Sequence, residues 1–136
     1  GSHIQADKEF FKRKLNNQNI INYGHVPNIQ LNSILNKCDV FATATLSEGY
    51  AMVINQAIAS GCPVIVTENS GAKEYVEQNN CGFVIPIRNS QILSDKLTLL
   101  LDDKNLLKKF AKNSKNSGNI NTWNKYVDRL DTFLDI

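Results

Sequence analysis

Residues 63–67 read Pro-Val-Ile-Val-Thr, a run in which apolar side chains follow one another without interruption. A strand that is exposed on one face alternates apolar with polar residues, whereas a strand that is buried on both faces does not alternate. Strands of the second kind are typical of parallel sheets that carry helices on both sides. The run therefore predicts the centre of an α/β fold, in which a parallel sheet lies between two helical layers.

The segments on either side of this run alternate between strand and helix patterns. Short apolar or β-branched runs predict strands at residues 20–23, 40–45, 63–67 and 82–87. Apolar residues at spacings of three and four predict helices at residues 8–15, 28–36, 50–60, 71–77, 92–101, 105–112 and 123–134. Ser90 is the expected N-cap of the helix over 92–101, and Gly61 is the expected stop of the helix over 50–60. The order predicts a three-layer, Rossmann-like parallel sheet with right-handed crossovers and a helical tail from about residue 90 to 136.

Length and composition narrow the class of protein. The chain has 136 residues, so we expect a single domain over 1–136, and its formal net charge of +2 gives no case for nucleic acid as a partner. Cys38, Cys62 and Cys81 form no CxxC pair, so neither a zinc site nor a disulfide framework is expected. The apolar runs are too short to span a bilayer and no signal-peptide pattern is visible, so we expect a cytoplasmic protein with at most peripheral membrane contact.

Ligands of open parallel sheets bind at the carboxyl ends of the strands, which directs attention to the turns at 24–26, 45–49 and 68–71. In the second of these turns, Glu48 and Gly49 stand where a strand ends and a helix begins. The free amides at a helix N-terminus attract anionic or hydroxyl-rich ligands, and glycine lets a ligand approach the backbone closely. Glu48 could accept hydrogen bonds from two sugar hydroxyls, or it could simply be an acid that stabilises the helix by about 0.3–1 kcal/mol. The residues alone favour the two interpretations equally.

Four blocks around this turn resemble those of the retaining glycosyltransferases with the GT-B fold, the family called glycosyl transferases group 1. The blocks are, in chain order, EGYA at 48–51, QAIA at 56–59, SGCPV at 60–64 and GAKEYV at 71–76. The family pattern reads EGFG, EAMA, a Gly-x-Pro-Val block and a Gly-x-x-Glu-x-Val block in the same order. The likeness extends over residues 20 to about 133. It implies that the chain is the C-terminal, nucleotide-sugar-binding half of a GT-B fold.

The resemblance also implies roles for individual residues. Glu48 takes the catalytic position, where it contacts hydroxyls of the donor sugar. Backbone amides at the glycine turn and the helix start contact the sugar and its phosphates: Gly49, Tyr50, Ala51, Met52 and Val53. The turn at Gly24, His25 and Val26 contacts the nucleobase through its backbone, although a lone histidine such as His25 is more often an ordinary turn residue. Glu74 either supports the loop on the phosphate side or is a helix-surface acid.

Two positions depart from the family pattern. Gln56 stands where a second glutamate holds the ribose hydroxyls, and Ala51 stands where glycine is usual. A neutral amide makes an ordinary hydrogen bond of about 1 kcal/mol, whereas a carboxylate makes a charge-assisted bond of about 1.5–3 kcal/mol. Gln56 therefore favours an alternative in which the chain is a degenerate, non-catalytic partner or scaffold of an active glycosyltransferase. A nucleotide-sugar epimerase of the same fold is a third, less favoured class.

The resemblance implies an activity for the parent protein: transfer of a hexose from a UDP- or GDP-sugar to a glycan or lipid acceptor, with retention of configuration, in bacterial polysaccharide or glycolipid assembly. It implies no metal and no cofactor beyond the donor. It also implies that the chain lacks the first strands of the complete domain and the N-terminal domain that binds the acceptor, so the fragment alone is expected to be inactive. The parent is expected in the cytoplasm, associated peripherally with the inner face of the membrane. We further expect the strands at 20–23 and 40–45 to pair directly, or another chain to complete the edge of the sheet.

Overall fold

The computed structural model describes residue 21 and residues 23–49 and 51–118. It contains the following elements, in chain order: α1 (Asn28–Leu35), β1 (Phe41–Ala42), α2 (Met52–Ala59), β2 (Val64–Thr67), α3 (Lys73–Asn79), β3 (Gly82–Ile85), α4 (Ser90–Asp102) and α5 (Lys104–Gly118). The predicted helices at 8–15 and 123–134 lie outside the described residues. The other predicted helices and the three later strands are confirmed, with boundaries that shift by a few residues.

The three strands form one parallel sheet in the order β1-β2-β3. Phe41 pairs with Val64 across the first interface, and Val64 pairs with Gly82 across the second. All four residues of β2 are buried, as the uninterrupted apolar run predicted. β2 is therefore the central strand of the described sheet, with a helical layer against each face.

The side chains of β2 divide between the two layers as a two-residue period requires. Val64 and Val66 belong to a core cluster with buried residues of α1, α2 and α3, including Leu35, Ile54 and Val76. The side chain between them belongs to a second cluster: Ile65, with Ile85 of β3, Leu100 of α4 and Phe110 of α5. The three-layer α/β architecture expected from the sequence is thus confirmed.

Two predicted strands are shorter than the sequence pattern suggested. The run over 40–45 forms a strand only at Phe41–Ala42, although the Thr43 amide still donates to the Ile65 carbonyl at 2.9 Å. The strand predicted at 20–23 was wrong at the two positions described there, because Ile21 and Tyr23 belong to no strand and are 71% and 61% exposed. The pairing of 20–23 with 40–45 is therefore absent at these two residues.

The caps of α2 and α4 show how far local sequence signals reach. Gly61 ends α2 with a φ of 80°, a conformation that glycine adopts without strain, so the predicted stop is confirmed. Ser90 was the wrong N-cap for α4. Asn89 caps this helix, since its side-chain oxygen accepts the Ile92 amide at 3.0 Å and Ser90 is already the first helical residue. Both residue types favour N-caps, and the sequence alone does not decide between neighbours.

The helix α5 packs closely against α2 and α3 through small residues. A Cβ atom at Gly118 would lie 2.5 Å from the Cα of Ala59 in α2, so the two helices approach too closely for any side chain there. Ser114 and Ser117 of α5 are buried, and the carbonyl of Ser117 accepts a hydrogen bond from the Tyr75 hydroxyl at 2.8 Å. The C-terminal half of α5 is therefore fixed to α2 and α3.

The cysteines are free thiols, with Cys38 exposed and the other two buried. Burial away from water disfavours the thiolate and raises the pKa of Cys62 to about 12, and the neighbouring Cys38 and Asp39 add to this effect. Burial likewise raises the pKa of Cys81 to about 11. Both buried thiols are therefore neutral near pH 7, where they behave as small apolar side chains.

None of the helices in residues 23–49 and 51–118 is long and apolar enough to cross a membrane.

The start of β3 depends on glycine. A Cβ atom at Gly82 would collide with the carbonyl oxygen of Val64 on the neighbouring strand. We expect Gly82→Ala to lower the free energy of unfolding by about 3 kcal/mol, because the backbone of the central strand must move to accommodate the methyl group. Urea denaturation measures this loss. Gly49→Ala is the control: nothing lies within 4 Å of a Cβ atom at Gly49, so its effect should stay within about 0.5 kcal/mol. Equal effects of the two substitutions would contradict this explanation.

Candidate functional site

Two loops at the carboxyl edge of the sheet are joined by backbone hydrogen bonds. We call residues 43–51 the β1–α2 loop and residues 68–72 the β2–α3 loop. Glu48 in the first forms an isolated parallel bridge with Ser70 in the second. The Glu48 amide donates to the Asn69 carbonyl at 3.4 Å, and the Glu48 carbonyl accepts the Gly71 amide at 3.0 Å. Both the amide and the carbonyl of Glu48 are therefore bonded to the β2–α3 loop.

Side chains reinforce the same junction. The buried Thr67 hydroxyl donates to the Thr45 carbonyl at 2.8 Å. The Asn69 side-chain amide donates to the Leu46 carbonyl at 3.0 Å. These two bonds tie the β1–α2 loop to the end of β2 and to the loop that follows it. Both turns were predicted as ligand-binding turns, but no local pattern indicated a role for Thr67 or Asn69, because their partners lie more than 20 residues away.

The Glu48 carboxylate is oriented by its own loop. The Thr45 hydroxyl donates to Glu48 Oε2 at 3.2 Å, and both side chains are half-buried. A carboxylate has about four acceptor positions, so this single bond leaves capacity for further donors. Glu48 is consequently a positioned acceptor at the edge where ligands of parallel sheets bind.

The start of α2 follows Glu48 by four positions, and its first residue differs from the predicted one. The helix begins at Met52 instead of Tyr50, and Tyr50 lies outside the described residues. The N-cap, Ala51, has no side chain that could accept a backbone hydrogen bond, so the first amides of the helix, at Met52 and Val53, have no side-chain cap. Met52 is 65% exposed. This helix start therefore presents amide donors and the positive end of the helix dipole.

Gly49 is not required by the packing of the described residues. Nothing lies within 4 Å of a Cβ atom at this position, and its φ is outside the positive range that favours glycine. The space next to its backbone is open. An open backbone between a fixed carboxylate and an uncapped helix start is suited to close contact with a ligand.

Gln56 lies one turn into α2, where it meets the start of α1. Its side-chain amide donates to the Asn28 side-chain oxygen at 3.2 Å. Asn28 is the first residue of α1 and follows the predicted turn at 24–26 by two positions. The structure thus joins Gln56 to the start of α1, two positions after this turn. Sequence reasoning missed Asn28, whose only signal was its position after Pro27 at a helix start.

The remaining predicted site residues lie around these two groups. Gly24 adopts a φ of 62°, and His25 follows it at an exposed bend. Val26 is half-buried. Glu74 lies exposed in the first turn of α3, where the helix dipole favours an acid, and takes no part in the hydrogen bonds that join the two loops. The structure therefore groups Glu48 with Thr45 and the α2 start, groups Gln56 with Asn28, and leaves Glu74 outside both groups.

A cavity of about 290 Å³ opens beside the β1–α2 loop at the same edge of the sheet. Its walls come from the ends of the three strands and from the start of α4, and they include Leu46, Ile85 and Leu93. Arg88, with a positive φ of 54°, lies at this wall. The turn over 86–89 was not among the turns that were predicted to bind a ligand. In the part of the chain that the structure describes, no three His, Cys, Asp or Glu side chains are grouped so that they could hold a metal ion.

Comparison with known proteins decides the family. The family model described as "Glycosyl transferases group 1" matches residues 5–117. The chain belongs to this family. Among solved structures, the C-terminal domain of the group 1 glycosyltransferase LpcC from Francisella tularensis is similar, with a TM-score of 0.70, 25% identity, and coverage of 85% of this chain and 60% of that one. The glycosyltransferase WaaG, involved in lipopolysaccharide biosynthesis, shares the fold at a TM-score of 0.74 and 22% identity, with coverage of 84% and 31%.

Curated relatives of this glycosyltransferase domain include two enzymes of Campylobacter jejuni. The first is N,N'-diacetylbacillosaminyl-diphospho-undecaprenol alpha-1,3-N-acetylgalactosaminyltransferase, which is 31% identical over 81 residues, or 60% of this chain and 22% of the relative. The second is N-acetylgalactosamine-N,N'-diacetylbacillosaminyl-diphospho-undecaprenol 4-alpha-N-acetylgalactosaminyltransferase, which is 30% identical over 80 residues, or 58% of this chain and 22% of the relative. The chain spans about a fifth of the length of these relatives. It corresponds to the C-terminal domain of a GT-B glycosyltransferase.

The buried hydroxyl of Thr67 provides a test of how this glycosyltransferase domain fixes its Glu48 loop. We expect Thr67→Val, which keeps the shape and removes the donor, to destabilise the domain by about 1–2 kcal/mol and to speed exchange of the Gly71 amide. Urea denaturation and hydrogen-exchange mass spectrometry measure the two effects. Thr98→Val on the exposed face of α4 is the matched control and should change neither. Exchange of the Gly71 amide at an unchanged rate would show that the bond does not hold the loops together.

Proposed function

We propose that this domain binds a nucleotide-sugar donor at the carboxyl edge of its sheet. In the parent protein it would serve the transfer of a hexose from a UDP- or GDP-sugar to a glycan or glycolipid acceptor, with retention of configuration. The observation that carries the proposal is the fixed carboxylate of Glu48 beside the open backbone of Gly49 and the uncapped start of α2. Membership of the group 1 family supports sugar transfer in general.

Glu48 is the acceptor for hydroxyl groups of the donor sugar in this proposal. A carboxylate can accept hydrogen bonds from two neighbouring hydroxyls, and such charge-assisted bonds contribute about 1.5–3 kcal/mol each. The Thr45 hydroxyl and the backbone bonds to Asn69 and Gly71 keep the carboxylate in position before the sugar arrives. A preorganised acceptor loses little conformational entropy when it binds.

The start of α2 is the site for the diphosphate. The amides of Met52 and Val53 and the positive end of the helix dipole follow Gly49 by three and four positions in the chain, and a phosphate could reach the open backbone at Gly49. Negative charge on the leaving diphosphate increases as the glycosidic bond breaks, and preorganised dipoles stabilise such charge most. We propose that donor binding at this edge relies on these dipoles without a metal ion.

Gln56 and Asn28 form the nucleoside end of the proposed site. The bond between them uses the amide group of Gln56, and the carbonyl oxygen of the same side chain would accept a ribose hydroxyl. The turn at Gly24, His25 and Val26 precedes Asn28 and would contact the base through its backbone. The donor would then lie along the first turns of α2, with the sugar at Glu48 and the nucleoside at Gln56.

The acceptor belongs to the rest of the parent protein in this proposal. The two Campylobacter relatives are named for acceptors linked to diphospho-undecaprenol, a lipid. By analogy, we propose a glycan or lipid acceptor bound by an N-terminal domain, in bacterial polysaccharide or glycolipid assembly, with the parent in the cytoplasm and peripherally attached to the inner face of the membrane. Catalysis in a two-domain enzyme requires both halves closed on the donor, so the 136-residue chain alone would be inactive.

One observation favours a second candidate, a non-catalytic relative that serves as a partner or scaffold. The side-chain amide of Gln56 donates a hydrogen bond to Asn28 and so links α2 to α1. This link needs no carboxylate at position 56, so the fold does not depend on a charged group that would bind the ribose. In that case the site would keep its shape but would bind nucleotide sugars weakly. The two substitutions below separate the candidates.

Glu48→Ala tests the proposed donor-sugar contact. In the full-length protein we expect this substitution to lower kcat/KM for sugar transfer by at least about 100-fold, because two charge-assisted hydrogen bonds are lost. Glu77→Ala, at an exposed position of α3, is the control and should retain activity. The donor is first identified by calorimetric titration of UDP, GDP, ADP and their sugars. Wild-type turnover by the Glu48→Ala protein would refute the assigned role.

Gln56→Glu separates an active enzyme from a degenerate one. If the ribose anchor has been lost, the carboxylate should strengthen nucleotide-sugar binding by about tenfold, the difference between a charged and a neutral hydrogen bond. Gln78→Glu makes the same change at an exposed position of α3 and controls for the added charge. An affinity unchanged by Gln56→Glu, together with measurable transfer by the wild type, would support the active enzyme and exclude the scaffold.

A further inference from the structure

The last described helix, α5, carries a concentration of positive charge. It contains five lysines and no acidic residue: Lys104, Lys108, Lys109, Lys112 and Lys115. All five are exposed, and they make up five of the nine Lys and Arg residues in the part of the chain that the structure describes. We call these side chains, with the exposed Asn105 and Asn116 between them, the lysine face of α5.

The lysine face is a line along one side of the helix. Successive helical residues turn by about 100°, so that the four lysines other than Lys109 fall within an arc of about 80°. The 15 residues of α5 span about 22 Å. The opposite side is fixed by the packing of Phe110, Ser114 and Ser117 in the interior. The helix therefore cannot rotate, and the lysines remain directed outward as one group.

Within residues 23–49 and 51–118, little negative charge is available to neutralise this face. Asp102 and Asp103 precede α5, and the Asp103 carboxylate accepts the Leu106 amide at 2.9 Å at the helix start. From Lys108 to Lys115 the helix has no carboxylate of its own. Within residues 23–49 and 51–118, the structure records no ion pair of these lysines. Lys96 of α4, by contrast, lies over the Phe83 ring at 4.7 Å and is occupied.

We propose that the lysine face of α5 binds the anionic headgroups of a phospholipid membrane. A straight row of ammonium groups on a convex helix fits a flat sheet of negative charge, and each lysine near such a surface strengthens binding about fivefold. The face presents no arginine and no aromatic side chain, the groups on which single-stranded nucleic acid recognition depends. It also presents no apolar side chain, so the contact is electrostatic and involves no insertion into the hydrocarbon. This inference deepens the peripheral membrane attachment of the proposed function by naming its surface and lipid class.

The lysine face and the proposed donor site lie at opposite edges of the sheet. The C-terminal half of α5 contacts residues just before β3 begins: Asn113 donates to the Asn80 carbonyl at 2.8 Å and Ser114 to the Cys81 carbonyl at 3.4 Å. Glu48 and the start of α2 follow the strand ends. A membrane at α5 would therefore leave the donor edge open.

Vesicle co-sedimentation of the 136-residue chain, without any nucleotide sugar, tests the proposal. We expect binding to vesicles of phosphatidylcholine with phosphatidylglycerol, none to pure phosphatidylcholine, and release when salt rises from about 0.1 M to about 0.5 M. The double substitution Lys108→Glu and Lys112→Glu should weaken partitioning at least about 25-fold. The matched control, Lys37→Glu and Lys73→Glu, changes the net charge equally away from α5 and should weaken it far less.

Several results would overturn the inference. One is an equal loss in both double variants. Another is a larger loss on Lys12→Glu and Lys14→Glu, which remove two charges of the basic run at residues 12–14, than on the α5 pair. The others are undiminished binding to neutral vesicles and preferential binding of a single-stranded RNA oligonucleotide in competition with the vesicles. Calorimetric titration of the α5 variant with a nucleotide sugar is independent of these outcomes. Unchanged donor affinity with lost vesicle binding would separate the membrane surface from the proposed function. Vesicle binding that the α5 substitutions abolish would leave the lysine face standing even if the wild-type chain bound no nucleotide sugar.

Discussion

The burial of β2 on both faces is the constraint on which the rest of the structure depends. Its four residues are buried, and the side chains of Val64, Ile65 and Val66 belong to the two core clusters in alternation. A strand that is buried in this way needs a neighbouring strand on each side and a helical layer on each face. The elements before and after β2 in the chain supply these neighbours. The requirement for glycine at Gly82, whose backbone meets Val64, follows from the same close packing.

The candidate site is a consequence of that sheet. Because the strands are parallel, their carboxyl ends and the loops that follow them meet at one edge. There the hydroxyl of Thr67, the last residue of β2, donates a hydrogen bond to the Thr45 carbonyl in the loop that carries Glu48. The carboxylate is therefore positioned by hydrogen bonds that originate in the core. Gln56, one turn into α2, is placed by the same helix start and meets Asn28 of α1.

Periodicity and local residue types predicted the layers, the parallel sheet and most helices, because these depend on patterns within a few residues. The Gly61 stop is of this kind. The errors and omissions arose where the outcome depends on distant partners or on a choice between neighbours. Asn89 and Ser90 are both good N-caps, and geometry alone decided for Asn89. The Gln56–Asn28 bond joins residues 28 positions apart, so no local sequence pattern predicts it. The family pattern assigned roles to Glu48 and Gln56, while the hydrogen bonds that hold them became visible only in the folded chain.

The course of α5 has a consequence for how the domain unfolds. Its first half contributes Phe110 to the core cluster on one face of the sheet, and its second half is bonded to α3 through Ser117 and packed on α2 through Gly118. One helix thus connects the two helical layers around the amino end of the strands. Neither layer can separate from the sheet without disturbing α5, which couples the two cores into a single cooperative unit. Amides on both faces of the sheet should consequently exchange through one shared global opening rather than through two independent local ones.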